Sequence, residues 1–325
     1  MGLLFSHNHI AKIRLFTSRR LGYVLVIAAA ALAGLIHSLA KPLLSFVSPA
    51  GIEINPITLA AIIYVINGLF FTSVKKNSDP VKKMERRNLF IITMIGLAEI
   101  SGLITYFFGL KQSTAVNASI LTNGEIIFSV IIALSIFRER LHKREFLPFL
   151  MIILGIILLP MAYEIFNSQL TRSDLLVGNL LILLSGVFYA VDISLCKYIS
   201  GIVDPKRITQ LVSFVGAGFA IFLLLVLQIP IEVNYSQLPS IALLGLFGTG
   251  VATFFFLTGL KLIGAMRTVL LYSTNFVFGV IFAVLFLHEG MSTSNVLSII
   301  LATAGIFFLR NRLGKSEKVS NQIEK

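Results

Sequence analysis

The sequence predicts an all-α integral membrane protein, with ten transmembrane helices arranged as two inverted five-helix repeats. Three observations predict it. The 325 residues are 56% hydrophobic and 13% charged, with a mean hydropathy of +0.91, whereas soluble domains carry roughly one-quarter charged residues. The apolar residues fall into runs of about 20, the length that crosses a bilayer as a helix. Finally, Gly109-Leu110-Lys111 … Ala115 … Leu121 … Phe128 … Val130-Ile131 … Ala133 … Glu139 returns 150 residues later as Gly259-Leu260-Lys261 … Ala265 … Leu271 … Phe278 … Val280-Ile281 … Ala283 … Glu289. A second echo, Ser38-Leu39-Ala40-Lys41 against Ser194-Leu195-Cys196-Lys197, sets the starts of the halves in register at an offset of 156. Duplicated helix sets are the usual build of secondary transporters, with the substrate between the halves.

The spans read in order as 21–40, 56–74, 88–110, 114–137, 145–163, 175–199, 207–229, 239–260, 265–287 and 293–310. The organisation is then a basic arm at 1–20, a first five-helix repeat at 21–163, an outer linker at 164–174, a second repeat at 175–310 and a tail at 311–325. The Ala-rich run after Arg19 resembles a secretory signal, but removing it would leave an odd helix count and break the Ser194–Lys197 match, so it is a retained first helix. Met1-Gly2-Leu3-Leu4-Phe5-Ser6 fits a short myristoylation pattern and is read as a chance match. Asn234-Tyr235-Ser236 is a glycosylation acceptor only in a glycosylating host.

Orientation follows from the 27 Lys and Arg residues. They crowd the N-terminal arm (Lys12, Arg14, Arg19, Arg20), the 75–87 loop, the Arg138–Arg144 loop, Lys206–Arg207, Lys261–Arg267 and the tail, while the intervening loops hold only Lys41, Lys111 and Arg172. Positive residues stay cytoplasmic, so both termini are expected inside a plasma membrane and the span count is even. Five helices per half make the second half enter from the opposite side, placing Lys111 outside and Lys261 inside. The net charge of +12 is therefore a topology signal and no nucleic-acid partner is expected, since the basic residues are scattered over short segments.

Chemistry is bounded by what is missing. Cys196 is the sole cysteine, which rules out an internal disulfide or thiolate cluster. There is no Walker loop, His-Glu-x-x-His or nucleophile elbow, so neither ATP hydrolysis nor enzymatic catalysis is expected, and no cofactor.

Gly109-Leu110 … Thr114-Ala115 … Ser119, followed by Phe137-Arg138-Glu139-Arg140-Leu141, and the second copy ending Leu287-His288-Glu289-Gly290, resemble the drug/metabolite transporter superfamily, in particular its EamA-type branch. The resemblance covers about residues 21–310. It implies a ten-helix bundle whose first, third, fourth, sixth, eighth and ninth helices line a cavity, with the fifth and tenth as outer scaffold. It also implies export or uptake of small metabolites without ATP hydrolysis. Family members often carry a proline early in the fourth and ninth helices; here those places read Glu125-Ile126 and Asn275-Phe276, which puts a proline-hinged bend in doubt.

Ionisable residues inside a span cost about 3 kcal/mol at the midplane and seldom face lipid. Glu99 lies mid-way along the third span and Glu125 along the fourth, with Thr122 and Ser129 on its face. Asp192 is in the sixth, a turn from Lys197, and His37 and Lys41 lie near the outer end of the first. Each has an alternative role as an internal partner that locks helices together, and helix-end lysines also snorkel to the interface. Offset by 150, Glu99 matches Thr249, Glu125 matches Asn275, Tyr106 matches Phe256 and Thr122 matches Tyr272. One face is polar in both halves, but only the first carries charge there. Such carboxylates suit an ammonium group or a proton, with Tyr189, Tyr272 and Phe256 offering apolar or cation–π contact. Proton coupling is therefore possible in principle. Glu139 and Glu289 end their helices at the membrane surface and read as structural, capping or pairing near the loops.

The expected function is secondary transport of small organic metabolites, amino acids or related amines, by alternating access around a midplane cavity; substrate-binding candidates are His37, Glu99, Tyr106, Thr122, Glu125, Tyr189, Asp192, Thr249, Phe256, Tyr272 and Asn275. The expected partners are a small-molecule substrate and the lipid bilayer, in a monomer or dimer. An intramembrane enzyme on lipids or isoprenoid phosphates, or a lipid scramblase, is the alternative.

Overall fold

The computed structural model describes residues 2–45, 53–74, 84–135, 146–158 and 172–323. These form ten helical segments: α1 (Gly2–Ser45), α2 (Pro56–Ser73), α3 (Arg86–Gln112), α4a (Ala115–Thr122) with α4b (Gly124–Ser135), α5 (Phe146–Ile153, continued by Leu154–Leu158), α6 (Arg172–Ile199), α7 (Pro205–Val226), α8 (Tyr235–Ile263), α9a (Ala265–Tyr272) with α9b (Asn275–Leu287), and α10 (Thr293–Ile323). Eight segments are long and apolar enough to span a bilayer, while α5 and α10 contribute shorter apolar stretches, Phe146–Ile157 and Thr293–Phe308. The protein is an all-α membrane bundle of two inverted five-helix repeats. The arm and tail that the sequence sets apart continue the helices α1 and α10. Glu139 and the Arg138–Leu141 motif lie outside the described residues.

Several starts were written locally. Asn55 caps α2, its Oδ1 accepting from the Ile57 N–H at 2.9 Å, and Pro56 follows at the first helical position. Asp204 and Pro205 do the same for α7. A short polar acceptor takes an orphan N–H, and proline occupies a position where none is needed.

The pairing of helices displays the duplication. The first helix of each half packs on the third and fourth of the other: α1 on α8 and α9b, α6 on α3 and α4b, while α2 meets α7 and α5 meets α10. Glycines repeat the rule at single-residue detail. Gly155 of α5 lies against Ser298 and Ala302 of α10, and Gly305 of α10 lies against Pro148 and Ile152 of α5, each residue shifted by 150. Gly109 lies against Ile182 as Gly259 lies against Val26. Without a hydrophobic drive between helices in lipid, such small residues let backbones close to van der Waals contact. Among the described residues, α5 and α10 line no part of the cavity described below, as expected of outer helices.

Both halves break their fourth helix, although no proline is present at either break. Asn123 interrupts α4 at φ −66°, ψ −2°, and Ser273 and Thr274 interrupt α9 near ψ −10° and −2°. There is no proline hinge, yet each helix is interrupted. Polar side chains replace the proline: Ser273 Oγ and Thr274 Oγ1 donate to the carbonyls of Leu270 and Leu271 at 2.9 and 2.7 Å, and Asn123 Nδ2 donates across to Asn275 Oδ1 at 3.2 Å. Backbone groups freed inside a membrane need such partners.

Candidate functional site

The two breaks lie beside a central cavity of about 100 Å³. One water needs about 10–15 Å³, so the space suits roughly seven to ten non-hydrogen atoms. All eleven residues singled out from the sequence are on its wall.

From α1 comes His37, whose Nδ1 is 2.5 Å from the Tyr106 hydroxyl of α3, with the rings edge to face at 5.6 Å. Both are buried, and Gly279 of α9b leaves the room His37 occupies. Two turns back along α3, Glu99 accepts from Thr253 Oγ1 of α8 at 3.3 Å and from the Tyr64 hydroxyl of α2. The Tyr64 ring sits against Gly216 of α7, where a side chain would block it. Tyr64 departs from the expected wall, which left the second helix out. It had no polar repeat partner to betray it, and only the packing of α2 on α7 brings it inward.

On α4, Thr122 spends its hydroxyl on the Ala118 carbonyl at 2.5 Å. Glu125 sits in the first turn of α4b, only 5% exposed. Gly186 of α6 lets that turn approach, its Cα side facing the Glu125 backbone nitrogen. The Glu125 carboxylate makes no hydrogen bond within the described chain and faces the cavity. Its repeat counterpart Asn275 holds the same place on α9b, bonded to Asn123 and to the Tyr272 hydroxyl.

From α6, Tyr189 packs over Gly102, and Asp192 accepts from Cys196 Sγ at 3.3 Å. Cys196 thus joins the wall, four residues from Asp192 on the same face; sequence reading used it for the repeat match and to exclude a disulfide or thiolate cluster. On α8, Leu244–Val251 winds as a π-helix through Gly245, Gly248 and Gly250, the kind of local widening often found at functional sites. It presents Thr249, Thr253 and Phe256 to the cavity. Thr249 is held from both sides, accepting from Asn67 Nδ2 and donating to the Gly245 carbonyl, both at 2.6 Å. The Phe256 and Tyr272 rings pack at a tilt of 54°, with centroids 4.7 Å apart. A second void of about 10 Å³, between Asn67, Glu99, Thr209, Ser213 and Thr253, adjoins this wall.

Lysines and the terminal glutamate serve the frame. Lys41 does more than snorkel: its Nζ donates to the Leu110 and Lys111 carbonyls at 3.0 and 3.1 Å, capping α3. Lys111 pairs with Glu53 at 3.0 Å. Glu289 follows the left-handed His288 and accepts from the Ala115 and Val116 N–H groups at 2.9 Å each, capping α4a. Cation at a helix C-terminus and anion at an N-terminus are the favourable placements. Of the two structural roles read for Glu289, capping or pairing near the loops, the structure shows capping.

A bundle of inverted halves around a polar cavity defines a multi-pass membrane protein with the build of a solute carrier. Residues 20–161 and 176–311 each match the EamA-like transporter family, and the chain belongs to it. An uncharacterized transporter of Methanothermobacter thermautotrophicus is 28% identical over 306 residues, covering 90% of this chain and 87% of its own length. The uncharacterized transporter YyaM of Bacillus subtilis is 24% identical, covering 77% and 81%. One crystal structure shares the fold with a TM-score of 0.62 at 17% identity, over 91% of this chain and 98% of that one.

Proposed function

We propose that this protein is a non-enzymatic secondary transporter of amino acids or related amines in the cell membrane, with both termini cytoplasmic. The two halves rock about the cavity between α1, α3, α4, α6, α8 and α9, and one half behaves outward-open as the other behaves inward-open. The observation that carries this reading is the set Glu99, Glu125 and Asp192 lining one buried cavity with aromatic rings and, among the described residues, no Lys or Arg. Carboxylates within a bilayer favour an ammonium group or an exchangeable proton, and Tyr189, Tyr272 and Phe256 offer faces for a cation or an apolar tail.

The test is a flux assay in proteoliposomes with labelled amino acids and amines, with and without an imposed proton gradient. Uptake above protein-free vesicles supports the reading, and stimulation by the gradient adds proton coupling. Vesicles that carry none of these solutes but flip labelled lipids would replace it with a scramblase. Orientation is tested on a Cys196-free background: a cysteine at position 80 should be protected in intact cells and one at 236 should react with an impermeant reagent.

A further inference from the structure

The three carboxyl groups of the cavity are not one cluster. Gly186 is level with the Glu125 backbone nitrogen, which lies 3.0 Å from where a side chain at that glycine would begin. Asp192 is six residues farther along α6, a rise of about 9 Å at 1.5 Å per residue. Gly102 of α3 crosses α6 at Tyr189. Counting three residues back on α3 and three on along the oppositely running α6 brings Glu99 level with Asp192. The cavity therefore has two acidic poles: Glu99 with Asp192, and Glu125 about two turns away.

Neither pole has a cation of its own. Among the described residues no Lys or Arg lines the cavity, and His37 has its Nδ1 on Tyr106. The described residues contain no group of His, Cys, Asp and Glu fit to hold a metal ion. Glu99 and Asp192 have hydroxyl and thiol donors, whereas Glu125, 95% buried, has none. A buried carboxylate without a partner is costly and selects a ligand that brings one. A zwitterionic amino acid would satisfy one pole while bringing a carboxylate that meets no basic side chain, only the start of α9b at Asn275.

We propose that the cavity is selective for linear organic dications, α,ω-diamines that set one ammonium group at Glu125 and the other between Glu99 and Asp192. A chain of about four to six carbons sets its nitrogens about 6–9 Å apart, which matches the rise of about 9 Å when each charge-assisted N–H···O contact is made across the cavity. Such molecules hold about six to eight non-hydrogen atoms, within the volume available. Tyr189 and Tyr272, between the poles, would pack on the methylene chain. The inference rests on the transport reading of the same cavity but concerns what it binds.

The experiment is equilibrium binding of tritiated 1,4-diaminobutane to the purified full-length protein, with competition by 1-butylamine, leucine and diamines from three to eight carbons. The wild type should prefer 1,4-diaminobutane to 1-butylamine and to leucine by about tenfold or more, one added charge pair being worth a factor of that order. Affinity should peak at four to six carbons. In Glu125→Gln the diamine-to-monoamine ratio should fall towards one. Absence of saturable diamine binding, equal competition by butylamine or leucine, or no chain-length optimum would each overturn the proposal, without reliance on any variant. Diamine binding without flux of any solute would sink the transport reading instead. Leucine flux without diamine binding would sink only the ligand class.

Discussion

The two halves share a backbone plan but not a chemistry. α3 and α8 each carry a glycine that seats the first helix of the other half, and α4 and α9 break at the same residue of the repeat. Glu99 and Glu125 nevertheless face Thr249 and Asn275, and Asp192 alone supplies acid from the second half. The caps differ too. α4a begins on Thr114, whose Oγ1 accepts from Asn117 N–H at 3.1 Å, and on Glu289; α9a begins on Gly264 at φ +83° with no side-chain cap among the described residues. Symmetry thus belongs to the packing. Asymmetry belongs to the cavity wall, which on the proposed transport reading is where one ligand would meet both halves at once.

The largest expected effect is on packing. Gly109→Ala would push a methyl within 2.6 Å of the Gly178 carbonyl oxygen and 2.9 Å of the Ile182 nitrogen, both backbone atoms. Overpacking of this kind costs about 2–3 kcal/mol. Gly259→Ala meets the Val26 side chain instead and should cost about half as much. Melting curves in detergent measure both; equal losses would remove the distinction between the two crossings.

Glu289→Ala removes two charge-assisted acceptors from the start of α4a, for about 2 kcal/mol. The melting temperature should fall while the helical content of the folded protein is kept. An unchanged melting temperature would deny the cap any weight.

Glu125→Gln should cut flux about tenfold, equivalent to about 1.4 kcal/mol, in protein that still inserts and elutes as a single species. Combined with Glu99→Gln, the losses should be non-additive, because the two acids face one ligand. Full flux in the single variant, or additive losses, would assign these carboxylates to helix packing. Smallest of all, Thr114→Gly makes the first copy resemble the second and should cost a few tenths of a kcal/mol, read from the same melting curves.

Much of this was legible beforehand because the bilayer restricts the answers. Apolar length marks a helix, and polar residues at membrane depth face inward, which is why Glu99, Glu125 and Asp192 line one cavity with the other residues singled out from the sequence. Less legible was whatever depends on a partner distant in sequence. The breaks at Asn123 and Ser273–Thr274 need no proline because local side-chain donors reach the Ser119, Leu270 and Leu271 carbonyls, and the Asn123–Asn275 bond that ties the two breaks together appears only once α4 meets α9. Tyr64 reaches Glu99 through the space left by Gly216. The π-helical turn of α8 shifts which residues face inward, a phase no regular period announces. Glu289 reads as structural from its place, but its target, the first turn of α4a, lies 174 residues away.

The central claim is that Glu125 and Asn275 are equivalent positions on two inverted halves around one binding cavity. Exchanging them tests it most directly. Flux of the best-carried amine is compared in proteoliposomes containing wild type, Glu125→Asn and the double variant Glu125→Asn/Asn275→Glu. The account predicts a loss of about tenfold in the single variant and recovery to within about threefold of wild type in the double, since the carboxylate returns to the same cavity from the opposite side. A double variant that is correctly inserted, yet no better than the single, would contradict the equivalence of the two halves.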